Sequence, residues 1–320
     1  MTGRSHCQAR SYGAFTLVEM LVSITVLALL VLLVTKMVHS TSIITNTGDR
    51  HMDADSQART VFDRLAVDFA RMLRRSDVDY FIKQPDATKY PGKSGEHGHK
   101  NGTKGNDASD QIAFFSQVPG YYPSPGPQSP LSLVAYRVNP NSYKLERMGK
   151  GLLWNGVSNR RNDPTPLVFL PLTISTFWTA AVTNDTSNSS RDADYEVIGP
   201  QIFRFEYYYL LKNGDLSDTP WDTDAGHTKI DGLKDIEAVV IAIAVVDSKS
   251  RSLLEDQDLA DLATQMNDFK TQKGNGPVKT GVLEAQWNSV VIENVSTGDI
   301  PRAAAQAIRV YSRYFNLNQP

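Results

Sequence analysis

Apolar residues run almost unbroken from Leu17 to Val34, interrupted by Glu19, Ser23 and Thr25 and followed by Thr35, Lys36, His39 and Ser40. Taken from Phe15 to about Val38, the stretch approximates the roughly 20 residues a helix needs to cross hydrocarbon. A second pattern follows. Ala58, Val61, Phe62, Leu65, Ala66, Phe69, Met72 and Leu73 recur at spacings of three and four, which predicts an amphipathic helix whose apolar stripe docks on a sheet. Its other face carries Asp63, Arg64, Asp68, Arg71 and Arg75. Gly48 lies between the two patterns and leaves two arrangements open, one long helix loosened there or two shorter ones. A single helix from Phe15 to Arg75 would measure about 90 Å at a rise of 1.5 Å per residue.

Beyond this helix the pattern shifts to strands. Gln111 to Val118, Leu131 to Val138 and Tyr143 to Met148 read as strands, joined as hairpins by the Pro-rich turn Pro119 to Pro130 and by Asn139-Pro140-Asn141. Leu167 to Phe177 is a further β-branched candidate, and Gln84 to Asn106 and Asn184 to Asp194 read as exposed loops. Gln201 to Tyr209 reads as a strand closed by a turn at Gly214 and Asp215. Val239 to Val246 is a continuous apolar run of the kind buried on both faces at the centre of a sheet. Asp256 to Met266 predicts a short helix with Leu259, Leu262, Ala263 and Met266 on one side, and its acidic start suits the positive end of a helix. Lys270 to Lys279 reads as a polar loop. Glu284 to Val291 fits a short helix or an edge segment equally well. The alternation in Ala307 to Asn316 predicts a half-buried closing strand.

Composition narrows the classes. At 320 residues and 41% hydrophobic, the chain has material for one membrane helix and a sizeable globular part. The 33 basic and 35 acidic residues give no basic stripe for a nucleic acid, so none is expected as a partner. The single cysteine, Cys7, precedes the apolar run. A lipoprotein signal would need its cysteine after that run, and disulfides cannot hold the remainder together.

The start of the chain carries the most specific signal. A glutamate in a membrane segment costs about 2.5 to 3.5 kcal/mol on insertion scales, so Glu19 calls for a reason. A secretory signal has an apolar core of about 7 to 15 residues and a small-residue cleavage site, and neither fits here. Phe15-Thr16-Leu17-Val18-Glu19 resembles the processing signal of type IV prepilins and type II secretion pseudopilins. That resemblance implies cleavage by a prepilin peptidase just before the phenylalanine, methylation of the new amino terminus, and a glutamate at the fifth mature position. Mapped here, the cut falls between Ala14 and Phe15, and Glu19 is that acid. The family usually has glycine before the cut, whereas Ala14 stands there, with Gly13 one place earlier. Cutting after Gly13 would move Glu19 out of register. Loss of residues 1–14 removes Arg4 and Arg10 and no acid, so 31 basic against 35 acidic residues leave a net charge of −4.

A weaker resemblance lies later. The order of a strand ending in Tyr207-Tyr208-Tyr209, a turn at Gly214, Trp221, and a strand introduced by Leu233 is similar to J-type minor pseudopilins and W-type minor pilins. The wider pattern also resembles the prepilin-like cassette protein C group. Several similar pseudopilins bind calcium through loop carboxylates, which makes Asp215, Asp218, Asp222 and Asp224 the candidates here. Their spacing is not that of an EF-hand, and an acidic loop is more often simply solvated. His97 and His99 lack the ligand number and spacing of a zinc site. There is no G-x-S-x-G elbow and no complete phosphate-binding glycine loop, and Lys279-Thr280 lacks the required spacing.

The expected fold is therefore α+β and pilin-like: a long N-terminal helix, membrane half plus amphipathic half, packed on an antiparallel sheet domain. The expected divisions are a leader over 1–14, the membrane part of the helix over 15–38, its soluble part and connection over 39–83, and a strand-rich exported domain over 84–320. The resemblance implies a minor subunit, not an enzyme, that assembles with other pilin or pseudopilin subunits into a short fibre or its tip for type II-like secretion. It would do so through an inner-membrane assembly platform, as a single-pass protein of the bacterial inner membrane with a cytoplasmic amino terminus. The alternatives are a minor type IV pilin with an adhesive domain and a membrane-anchored enzyme. No cofactor is expected beyond the calcium candidates.

Overall fold

The computed structural model describes residues 16–74, 110–121, 128–139, 142–151, 195–222, 226, 233–271, 281–297 and 300–317. The expected strand at 167–177, the loops at 84–106 and 184–194, and His97 and His99 lie outside them. Two units divide the chain, Met1–Asp49 and Arg50–Pro320.

The first unit is the N-terminal part of helix α1, which spans Leu17–Ala70 over 54 residues. Of the two arrangements left open at Gly48, the continuous helix is the one observed, and a Cβ there would meet nothing within 4 Å. From Leu17 to Thr41 the helix is long and apolar enough to cross a membrane, and its side chains are exposed. Several hydroxyls within that stretch bond back to their own helix: Ser23 to the Glu19 carbonyl at 2.7 Å, Thr25 to Val22 at 2.8 Å, Thr35 to Val31 at 2.8 Å and Thr41 to Met37 at 2.9 Å. Each donor is satisfied without water, as a hydrocarbon setting requires.

The second unit is built in layers around two strands. Strands β1 (Gln111–Ser116), β2 (Gly120–Tyr121), β3 (Gln128–Ser129), β4 (Ser132–Val138), β5 (Leu145–Gly151) and β6 (Tyr195–Gly199) form the first sheet, in the order β1-β4-β5-β2-β3 with β6 also paired to β5. Strands β7 (Ile202–Leu211), β8 (Leu216–Ser217), β9 (Ile236–Val245) and β10 (Arg309–Asn316) form the second, in the order β10-β9-β7-β8. Strands β1 and β4, and β4 and β5, pair as expected, but the segment read as a Pro-rich turn, Pro119 to Pro130, carries the short paired strands β2 and β3. Among the described residues the pairings are antiparallel except the β2-β5 bridge, which is parallel. The fold is α+β, a long N-terminal helix followed by antiparallel sheets.

Strands β7 and β9 are buried on both sides. Val239, Ile241, Ile243 and Val245 of β9 face one core with Val61, Phe62, Leu65 and Phe69 of α1 and with Phe114, Val134 and Leu145 of the first sheet. Val240, Ala242 and Ala244 face a second core. That core is closed by α3 (Asp256–Gln265), α4 (Val282–Thr297) and the short helices α2 (Ser248–Arg251) and α5 (Arg302–Ala305). Small residues on this side of β9 leave room for Trp287, the largest fully buried side chain among the described residues. Strand β7 shifts register between Ile202 and Arg204, a bulge that puts both Phe203 and Arg204 on the helix side before alternation resumes at Phe205.

Two elements resolve what the sequence left open or misplaced. Glu284 to Val291 lies inside a helix, and Asp68, expected on the solvent face of α1, is fully buried. The cause is a partner set on the first sheet. Tyr136 and Arg147 are cross-strand neighbours on β4 and β5, and both grip the Asp68 carboxylate. Arg147 donates from Nε to Oδ2 at 2.7 Å and from Nη2 to Oδ1 at 3.1 Å, and the Tyr136 hydroxyl donates to Oδ2. The Ser116 hydroxyl of β1 donates to the Asp68 carbonyl at 2.9 Å. Three strands of the sheet are thus tied to one turn of the helix. Burial, together with the neighbouring Asp68 charge, pushes the Tyr136 hydroxyl well above the ordinary tyrosine range.

Candidate functional site

The head of α1 is a capping box. The Thr16 hydroxyl accepts from the Glu19 backbone N–H at 3.3 Å, while Glu19 Oε2 accepts from the Thr16 N–H and from the Thr16 hydroxyl, both at 2.9 Å. In a helix, four N–H groups at the N-terminus have no partner within the helix, and this reciprocal pair satisfies two of them. The motif Thr16-Leu17-Val18-Glu19 therefore encodes its own helix start. Its acid also sits in the first turn, where a negative charge opposes the positive end of the helix dipole. Glu19 is exposed, so its carboxylate is reachable by a neighbouring molecule. Ala14 and Phe15, between which the cut is placed, lie outside the described residues.

Of the calcium candidates, Asp215, Asp218 and Asp222 are among the described residues. Asp215 lies in the turn after β7, where its N–H donates to Asn213 Oδ1 at 2.9 Å and Gly214 adopts φ 90°. Asp218 accepts from the Thr271 hydroxyl at 2.6 Å, and Asp222 accepts from Asn213 Nδ2 at 3.3 Å. Asp224 lies outside the described residues. The acids that the described residues do bring together are others: Asp110, Glu206 and Asp268, each offering an oxygen within 4.8 Å of the rest.

Two of these acids, Glu206 and Asp268, pair with Arg204. The guanidinium donates from Nη2 to Asp268 Oδ1 at 2.6 Å and to Glu206 Oε2 at 3.4 Å, from Nη1 to the Phe205 carbonyl at 3.0 Å, and from Nε to the Met266 carbonyl at 3.2 Å. Its face lies 5.1 Å from the Trp287 ring centre, and the Trp287 indole N–H donates to the Asn267 carbonyl at 2.9 Å. Glu206 accepts in turn from the Phe269 N–H at 3.1 Å. Oxygen donors of this kind suit a hard cation, yet the cation that Glu206 and Asp268 contact here is Arg204 itself. The arrangement works as an ion-pair cluster that fixes the segment after α3 against β7 and α4. Sequence reading missed it because its members come from three separate places along the chain, with the bulge in β7 turning Arg204 inward.

Residues 9–35 match the model of the prokaryotic N-terminal methylation motif. No curated protein matches the chain. The motif, together with the apolar N-terminal helix, supports a type IV pilin-like protein that is processed as a prepilin.

Proposed function

We propose that this chain is a minor pseudopilin-like subunit, cut between Ala14 and Phe15, methylated at Phe15, and assembled with other subunits into a short fibre or its tip. Its work is assembly, not catalysis. The observation that carries the reading is the methylation motif over residues 9–35 placed directly at the head of a helix apolar enough to cross a membrane. Processing leaves a positively charged amino terminus at Phe15, beside the positive end of α1, where it is electrostatically disfavoured. A carboxylate near that end offsets both charges, and Glu19 is the acid available within the first turn. In a medium of low dielectric, the same carboxylate meeting the amino terminus of a neighbouring subunit would offset two otherwise isolated charges. The partners are then the prepilin peptidase, other pilin-like subunits, an inner-membrane assembly platform and the bilayer. The globular unit lies on the far side of the inner membrane from the leader, because Arg4 and Arg10 hold the leader on the cytoplasmic side.

The large second unit, 271 residues from Arg50 to Pro320, favours a low-copy position at the tip over a repeating one. The test is co-purification from membranes that contain the partner subunits. Glu19→Ala should insert normally but lose most of its co-purification, and undiminished recovery of partners would exclude the assembly role of Glu19.

A further inference from the structure

The second unit begins at Arg50, and its first helical turns are fastened to β10 and to the start of α2 by polar contacts. Tyr311 donates to Asp55, Arg313 Nη1 donates to Asp63 Oδ1 at 2.8 Å, and the Ser248 N–H donates to Asp53 Oδ2 at 3.0 Å. The contact nearest the start of the unit is of another kind. Arg309 brings Nε to 3.0 Å from His51 Nδ1 and Nη2 to 2.8 Å from His51 Nε2.

We propose that His51 and Arg309 form a proton-sensitive clasp, closed when the imidazole is neutral and opened by its protonation. A guanidinium has only donors, so it needs a lone pair on its partner, and a neutral imidazole has one such nitrogen. One of the two contacts is therefore the hydrogen bond. Protonation from solvent places a proton on that nitrogen, removes the acceptor and sets two positive charges against each other at about 3 Å. The other charged and titratable groups on the elements packed here are Arg50, Asp53 and Asp55 on α1, Tyr311 on β10, and Asp247 and Lys249 at the start of α2. Asp55 lies four residues along the same helix face, so a charged His51 is drawn to it and competes with Tyr311 for its carboxylate. One proton thus loosens two of the ties between α1 and β10. Downstream, Asp63 and Arg313 keep the helix docked, with the apolar residues Ala58, Val61 and Phe62 beneath it. The opening is confined to the first turns of the unit. The inference rests on this geometry and not on the assembly reading.

Hydrogen exchange of the full chain in detergent micelles tests it, compared between about pH 5 and about pH 8. Rates are referred at each pH to those of an unstructured peptide. Amides of residues 50–56 should open about tenfold more readily at the acidic value, in keeping with the loss of a hydrogen bond to a charged group. Amides of β9, the strand between β7 and β10, should be unchanged. His51→Gln keeps an acceptor and cannot be protonated, so its exchange should show no such pH response. Should His51→Gln fail to fold, Arg309→Gln removes the like-charge conflict and should abolish the response in the same way. A wild-type protein without the response, or a variant that retains it, overturns the proposal.

Discussion

Asp68 and Arg147, separated by 79 positions in the sequence, form a two-pronged ion pair in which the carboxylate is fully buried and the guanidinium nearly so. Burying two charges is costly, and the cost is recovered only where geometry is good and the remaining hydrogen-bonding capacity is met. Here Tyr136 adds a hydrogen bond to the same carboxylate, and Glu196 lies 3.5 Å from the remaining Arg147 nitrogen. Removing one partner strands the other. Asp68→Leu alone should destabilise the second unit by about 3 to 5 kcal/mol, whereas Asp68→Leu combined with Arg147→Met should cost much less than the two single changes summed. Urea unfolding of the four proteins checks this, and additive costs would mean that the pair is not coupled.

The head of α1 predicts a smaller and more local effect. Thr16→Ala removes the hydroxyl that accepts from the Glu19 N–H and should cost the helix start about 1 kcal/mol. Exchange of the amides at 17–20 in micelles should rise by about fivefold. Thr16→Ser keeps the hydroxyl and should stay close to wild type. Equal exchange in all three would show that the capping box does not hold the helix start.

Alkali should weaken the second unit through its buried tyrosines. Burial pushes the Tyr136 hydroxyl well above its ordinary 10.0, with the Asp68 charge adding to it, and burial followed by the Glu284 charge does the same to Tyr208. A raised value in the folded state means that the folded protein holds its proton more tightly than the unfolded chain. Their contribution is therefore fully present below the unfolded value near 10.0 and is lost as pH rises above it. Stability against urea should be level up to about pH 9 and fall beyond about pH 10. Tyr208→Phe should fall less steeply over that range, and an identical slope in this variant would remove Tyr208 from the account.

Most of the architecture was readable from local pattern. The stripe from Ala58 to Met72, the hairpins around Asn139 and the central strand at Val239 follow from periodicity and turn residues, because each is decided within a dozen positions. Asp68 was misread for the opposite reason: its burial is decided by Tyr136 and Arg147, which no local pattern reveals. Helix α4 was ambiguous because apolar residues lie on both its faces, Leu283, Trp287 and Val291 inward but Val282 and Ile292 exposed. The helices at Ser248–Arg251 and Arg302–Ala305 are too short to show a period. In β7, the bulge at Arg204 breaks the alternation that sequence reading relies on. The candidate site was legible because it is local, five consecutive residues at the start of a helix. Sequence alone did not show that Thr16 and Glu19 of this motif also cap the helix.

The account turns on the amino terminus that the mature chain carries. Mass analysis of the protein isolated from membranes that contain a prepilin peptidase measures it directly. The account predicts a chain lacking residues 1–14 and beginning at an N-methylated Phe15, with the full-length form accumulating when the peptidase is absent. A mature protein that keeps Met1, or one cut elsewhere without methylation, would contradict it.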